Sequence, residues 1–141
     1  MNLTDAQIIQ QYRKCGIPLP KNLAPPADKP AVPKSRYRSK LEEAYAAELD
    51  LQIRCGLVKF WGYESIRIMI ADGLTYKPDF LVQMADGTIQ VRETKGFERE
   101  GDRKSFLMAS VMLPCFLFRM IGRRDGEWYV RREVQGGVDL L

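Results

Sequence analysis

The sequence predicts a mixed α/β (α+β) domain: a mixed central sheet containing an antiparallel three-strand meander, flanked by two helices. Three observations carry this prediction. Two helix-patterned stretches, 41–55 and about 102–113, bracket a region whose apolar period drops to two. Two Asp-Gly turns, Asp72-Gly73 and Asp86-Gly87, sit 14 residues apart, as successive hairpins require. The 141 residues, 45% of them apolar, suffice for one ordinary core and leave no room for a second full domain.

Thr4, Asp5, Ala6 and Gln7 read as a capping box, after which Ile8, Ile9 and Tyr12 lead to a stop at Gly16. Residues 1–16 are therefore expected as a short helix. Six of the eight prolines lie between Ile17 and Pro33, so 17–33 is expected as an extended, semi-rigid linker. The tethered helix is expected to pack on the body or on a second copy; a contact with DNA or another protein stays open.

Residues 34–141 are then the main domain. Ser39 caps a helix from Leu41 to Cys55, stopped at Gly56, and Ser39-x-x-Glu42 forms a second capping box. Glu42 also lies among the azimuths of Tyr45, Leu49 and Ile53, on the apolar stripe, whereas Glu43 points away. The meander follows: Ile66, Ile68 and Ile70 alternate with Arg67 and Met69, Leu74 to Met84 comes after the first Asp-Gly turn, and Thr88 to Thr94 after the second. Pro78 interrupts the middle run or places it at an edge. The charged patch from Glu98 to Lys104 leads into a helix that starts near Asp102 and ends before Pro114. Cys115 to Ile121 and Trp128-Tyr129-Val130, joined at Arg124-Asp125-Gly126, supply two last strands.

Composition narrows the chemistry. There is no histidine, which removes Ser/His/Asp and Cys/His hydrolases, His-ligated zinc and histidine general bases. The acid or base must be a carboxylate, a lysine, a tyrosine, a thiol or water activated by a metal. Cys15, Cys55 and Cys115 form no Cys-x-x-Cys pair and are expected as buried or idle free thiols. No apolar run approaches membrane-spanning length and no signal-peptide core opens the sequence, so a soluble cytoplasmic protein with no membrane contact is expected. The net charge of +4 is unevenly placed, with eight basic and two acidic residues in 1–40 against 14 and 16 in the remainder. A basic arm on a slightly acidic body suits a polyanionic partner. Within the arm, Lys34, Arg36, Arg38 and Lys40 alternate with Ser35, Tyr37 and Ser39, suiting phosphate contacts and base stacking, or simply a solvated strand.

Four charged residues stand where an apolar pattern would be easier: Glu42, Asp79, Glu93 and Lys95. Glu93 and Lys95, two apart, project from one strand face with Ile89 and Val91. Counting outward from the Asp86-Gly87 turn puts Glu93 near residue 80 and Lys95 near 78, so Asp79 lies across from the pair. Two carboxylates and a lysine suit metal-assisted phosphodiester hydrolysis: hard oxygens for Mg²⁺, and an ammonium to orient or deprotonate the attacking water or to offset charge on the phosphate. The alternative is a salt bridge from Lys95 to Glu93 or Asp79 on a solvated sheet end.

Pro78-Asp79, then a hairpin, then Glu93-Thr94-Lys95 resembles the signature of the PD-(D/E)XK nuclease superfamily, and Ser39-x-x-Glu42 resembles the acidic position often supplied by its first helix. Tyr76-Lys77-Pro78-Asp79-Phe80, Asp86-Gly87 and Glu93-Thr94-Lys95-Gly96-Phe97 are similar to small phage and prophage proteins related to Holliday junction resolvases and type I endodeoxyribonucleases. The resemblance covers about 34–134 and implies a restriction-endonuclease-like core. It implies that Asp79 and Glu93, with the Thr94 backbone carbonyl, bind Mg²⁺, with Mn²⁺ as substitute. Lys95 would act on the attacking water, Glu42 would bind a second metal or a water, and Arg103 or Lys104 would touch the scissile phosphate.

The expected function is thus a Mg²⁺-dependent DNA endonuclease, structure-selective for branched DNA, junctions or flaps, in phage replication, recombination or packaging; the resemblance implies 5′-phosphate and 3′-hydroxyl ends as products. Its setting would be the cytoplasm, that of the host if phage-encoded. A symmetric junction needs two active sites, which makes a homodimer the expected assembly; no small-molecule cofactor is implied. The alternative is a catalytically silent nucleic-acid-binding or assembly protein retaining the fold.

Overall fold

The structure, a computed structural model, describes residues 4–16, 18 and 34–141. It divides into two compact units, Met1–Lys34 and Ser35–Leu141. In the first unit, helix α1 spans Asp5–Cys15. The Thr4 N–H donates to Gln7 Oε1 (2.9 Å), and Gly16, at φ 66°, supplies the left-handed stop. Apart from Pro18, the proline-rich segment expected as a linker lies outside the described residues.

The second unit is α+β, as the sequence predicts. Its order is α2 (Lys40–Arg54), β1 (Val58–Tyr63), β2 (Ile68–Ala71), β3 (Leu74–Tyr76), β4 (Phe80–Met84), β5 (Ile89–Thr94), α3 (Glu100–Met112), β6 (Leu117–Arg124), β7 (Glu127–Gln135) and β8 (Val138–Asp139). Six strands form a mixed sheet ordered β1-β4-β5-β6-β7-β8, in which only β5 and β6 are parallel. That parallel pair requires a crossover, and α3 provides it.

Alternation along the strands sends side chains to two faces, each covered by a helix. Tyr45, Ala46 and Leu49 of α2 pack on Val58, Phe80, Val82 and Ile121. On the other face Phe106 and Ala109 of α3 pack on Val91, Phe118, Met120 and Val134, joined by Ile68 and Tyr76 from the separate β2-β3 hairpin. β5 is therefore buried on both sides, as strands between two helical layers are.

The expected meander is redrawn. Its first strand and the start of its middle run form the small β2-β3 sheet, because the fully buried Pro78 offers no N–H and ends β3 before β4 begins. The antiparallel triple of the main sheet is instead β1-β4-β5, and β1 has no counterpart in the sequence reading. Its burial does not alternate cleanly, it contains Gly62, and its register shifts between Val58 and Phe60, so the period-two signal is lost. The last strand also runs longer than expected and returns as β8. The three cysteines are free and exposed rather than buried, and the apolar stripe of α2 ends at Leu49, since Ile53 is 40% exposed. Among the described residues no helix is long and apolar enough to cross a membrane.

Candidate functional site

The site is built where β4 begins, β5 ends and α2 starts. Ser39 accepts the Glu42 N–H at 3.1 Å, which is half of the expected capping box. The Glu42 carboxylate does not return the bond to Ser39. It accepts from the Arg38 N–H (3.0 Å) and from the Tyr63 hydroxyl (2.6 Å) at the end of β1. Glu42 is buried, as its azimuth suggests, and Glu43 is exposed.

Asp79 follows Pro78, and its carbonyl accepts the Glu64 N–H at 2.8 Å. Its carboxylate is clamped from β5, where Oδ2 accepts both the Thr94 N–H (2.9 Å) and the Thr94 hydroxyl (3.1 Å). The hairpin register pairs Phe80 with Arg92, one step from the count made on the sequence, so Asp79 continues the ladder opposite Glu93. Thr94, singled out for its carbonyl, thus has a second role in positioning Asp79.

Glu93 and Lys95 lie on one strand face, and Lys95 Nζ is 2.8 Å from Glu93 Oε1. The Tyr76 hydroxyl donates to the other oxygen, Oε2. Asp102, at the start of α3, stands 3.7 Å from the same ammonium. Arg38 closes the cluster from the other side, with Nη2 3.3 Å from Asp79 Oδ1 and Nε 2.8 Å from Glu64 Oε1. Glu64 adopts φ 47°, the left-handed region that costs a non-glycine residue on the order of 1 kcal/mol, and Lys77 pairs with its Oε2 at 2.8 Å.

The electrostatics follow from burial. Desolvation pushes the Asp79 carboxyl above the ordinary range and Glu42 adds to it, while the Thr94 bonds and Lys95 pull it down. Burial likewise raises Glu93 and Asp102 adds, against Lys95 and Arg38. Burial opposes the charge of Lys95, but Glu93, Asp102 and Asp79 outweigh it, so its pKa is raised and it is an ammonium at neutral pH. In this state Lys95 donates protons or offsets charge, which are among the roles the sequence reading gives it.

Of the expected site residues, Glu42, Asp79, Glu93, Thr94 and Lys95 come together. Arg38, expected on a DNA-contacting arm, turns into the carboxylates instead. Lys34, Arg36 and Lys40 are exposed, and the Arg36 guanidinium lies 5.0 Å from the Tyr37 ring centroid and 5.7 Å from that of Trp61. Arg103 and Lys104 are exposed on α3, with Lys104 2.9 Å from Glu100. Sequence reasoning missed Tyr63, Glu64, Tyr76 and Asp102. Tyr76 alone carried a signal, standing within the run that bears the resemblance.

Among the described residues, no group of three or more His, Cys, Asp or Glu side chains is placed to hold a metal ion. Mg²⁺ asks for less: it keeps several waters and binds proteins through one or two carboxylates, the rest of its shell coming from phosphate. Asp79 and Glu93 are such a pair, hard-oxygen donors whose burial disfavours their charge. Among the described residues Glu64, Asp79, Glu93 and Asp102 pair with Arg38, Lys77 and Lys95, and Glu42 adds a further carboxylate, so a divalent cation fits the charge of the cluster. Compared with models of protein families, with curated proteins and with solved structures, the chain matches none.

Proposed function

We propose that the unit spanning 35–141 is a DNA endonuclease dependent on Mg²⁺, with Mn²⁺ as substitute, of the PD-(D/E)XK kind. One observation carries the reading: buried Asp79 and Glu93 at adjoining strand ends, both within the field of a single half-buried lysine. Asp79 and Glu93, with the Thr94 carbonyl, would hold the cation, and Glu42 a second cation or a water. When bound, the cation supplies Lewis acidity and neutralises charge on the phosphate.

The chain's own residues do the rest. Lys95, held as an ammonium by Glu93 and Asp102, donates to a phosphoryl oxygen as negative charge develops on it. Thr94 and Tyr76 fix the two carboxylates so that neither rotates out of place. Arg36, Lys40, Arg103 and Lys104 are exposed and free of the carboxylate cluster, suiting them to neighbouring phosphates. Structure-selective cutting of junctions or flaps, a homodimer presenting two sites, a role in phage DNA metabolism and a cytoplasmic setting belong to the same proposal.

Labelled junction, flap, duplex and single-stranded DNA, with an RNA control, incubated with Mg²⁺, with Mn²⁺ and with EDTA, test it. Cleavage is expected with the cations alone and is lost in Asp79→Ala, Glu93→Ala and Lys95→Ala proteins that remain folded. Cleavage that persists in Lys95→Ala overturns the assignment.

A second reading, a silent nucleic-acid-binding or assembly protein, is favoured by the ion pairing itself. Each of the Asp79 and Glu93 carboxylate oxygens already has a partner within the chain. It predicts salt-sensitive DNA binding that ignores metal and survives all three substitutions.

A further inference from the structure

On the α2 side of the sheet, β5 carries a cation that has no counter-ion among the described residues. Arg92 is 4% exposed. Its Nε and Nη2 both donate to Gln90 Oε1 (2.9 and 2.8 Å), and its Nη1 donates to the Tyr45 hydroxyl (3.0 Å) and Gln52 Oε1 (3.2 Å). Nη2 also lies 3.3 Å from Met84 Sδ. Every acceptor is neutral. Among the described residues no carboxylate pairs with Arg92.

Arg119 adds a second guanidinium. Its Nη1 reaches the same Gln90 oxygen at 3.4 Å, while its own charge is answered by Glu133 at 2.6 Å. Glu48 is linked to Arg92 through Gln52, whose Nε2 donates to it at 2.9 Å. A guanidinium cannot shed its proton, so burial without a counter-charge is a standing cost that neutral hydrogen bonds offset only in part.

This guanidinium borders a cavity of about 290 Å³ walled by Tyr45, Leu57, Met84, Ile121 and Trp128, with Arg119 also in its lining. Its lining runs along the α2 face of the sheet from Met84, where β4 ends, to Ile121, which pairs with Thr94, and none of Glu42, Asp79, Glu93, Thr94 and Lys95 is part of it. Apolar and aromatic walls beside a buried guanidinium that lacks a counter-charge suit a small organic anion.

We propose that this cavity binds a small organic anion, a carboxylate or a phosphate monoester on an apolar body, whose charge offsets that of Arg92, with the Arg119 guanidinium alongside. The site is separate from the carboxylate cluster and stands whether or not the chain cuts DNA.

The chain has two tryptophans, so Trp61→Phe leaves Trp128, on the cavity wall, as the sole indole reporter. Titrated at constant ionic strength, benzoate or phenyl phosphate is expected to change its fluorescence saturably. At about ten times the dissociation constant the melting temperature should rise by about 4 °C. Benzamide, the neutral analogue of benzoate, should do neither. Saturation by benzoate alone assigns a carboxylate, and by phenyl phosphate alone a phosphate. Arg92→Met should abolish binding; if it does not fold, Arg119→Gln should weaken binding at least about fivefold. No saturable response to either anion at about 20 mM, an equal response to benzamide, or unchanged binding in whichever variant folds overturns the proposal.

Discussion

Arg38 and Asp79, 41 positions apart in the chain, meet side chain to side chain, with Nη2 3.3 Å from Oδ1. The guanidinium stands where a bound cation would neutralise the same carboxylate, so the two compete. Arg38 is largely exposed, which limits its hold through solvent screening.

Arg38→Ala should therefore tighten Mn²⁺ binding by roughly three- to tenfold, read by calorimetric titration. Affinity that is unchanged or lower would show that Arg38 does not occupy the cation's place.

Tyr63→Phe removes the 2.6 Å bond to the Glu42 carboxylate and leaves that oxygen with the Arg38 N–H. Urea denaturation at neutral pH should show a loss of about 1.5–3 kcal/mol, the range for a hydrogen bond to a charged group. A loss below about 0.5 kcal/mol would mean that water replaces the hydroxyl.

Asp79 titrates above its ordinary value of 3.8 because burial penalises its charge. A carboxyl raised in this way is protonated more readily in the folded chain than in the unfolded one. Its stabilising contribution is present below the ordinary value and is lost as pH rises through the folded one. Asp79→Asn, which cannot ionise, should melt above the wild type at pH 7.5, with the margin shrinking toward pH 4. A margin independent of pH would refute the burial account.

Among the described residues the charged partner of Asp102 is the ammonium of Lys95, at 3.7 Å. Asp102→Asn is expected to reduce DNA cleavage by less than about tenfold, against a hundredfold or more for Lys95→Ala. Equal losses would promote Asp102 from a positioning residue to one that meets the substrate.

A Cβ at Gly122 would lie 2.5 Å from the Tyr129 ring. Gly122→Ala should thus cost about 1–3 kcal/mol of stability, measured by thermal or chemical denaturation. A neutral result would require the ring to swing outward.

The sequence made both long helices legible because caps and period agree there: Ser39 fixes one start, and Pro114 limits the other end. It also revealed Asp79, Glu93 and Lys95, which lie near one hairpin whose register can be counted to within one step. Tyr63, Glu64 and Arg38 were not legible as a group, since they join Asp79 only after β1 pairs with β4, a long-range event without local pattern. Arg92 was hidden differently. In an alternating strand, Gln90 and Arg92 read as the solvent face; α2 covers that face, and a guanidinium that looks solvated lies in the interior.

The Lys95 N–H donates to the Ile121 carbonyl at 2.9 Å, extending the parallel ladder beyond Thr94. A growing polypeptide therefore holds Glu42, Asp79, Glu93 and Lys95 well before it holds the strand that locks them. Until α3 has crossed over and β6 has docked, the end of β5 lacks its neighbour, and the loop that must close spans the whole crossover. The constellation is complete in writing at residue 95 and in space only once residue 121 has docked, so assembly of the site is tied to closure of the crossover rather than to the hairpin that carries its residues.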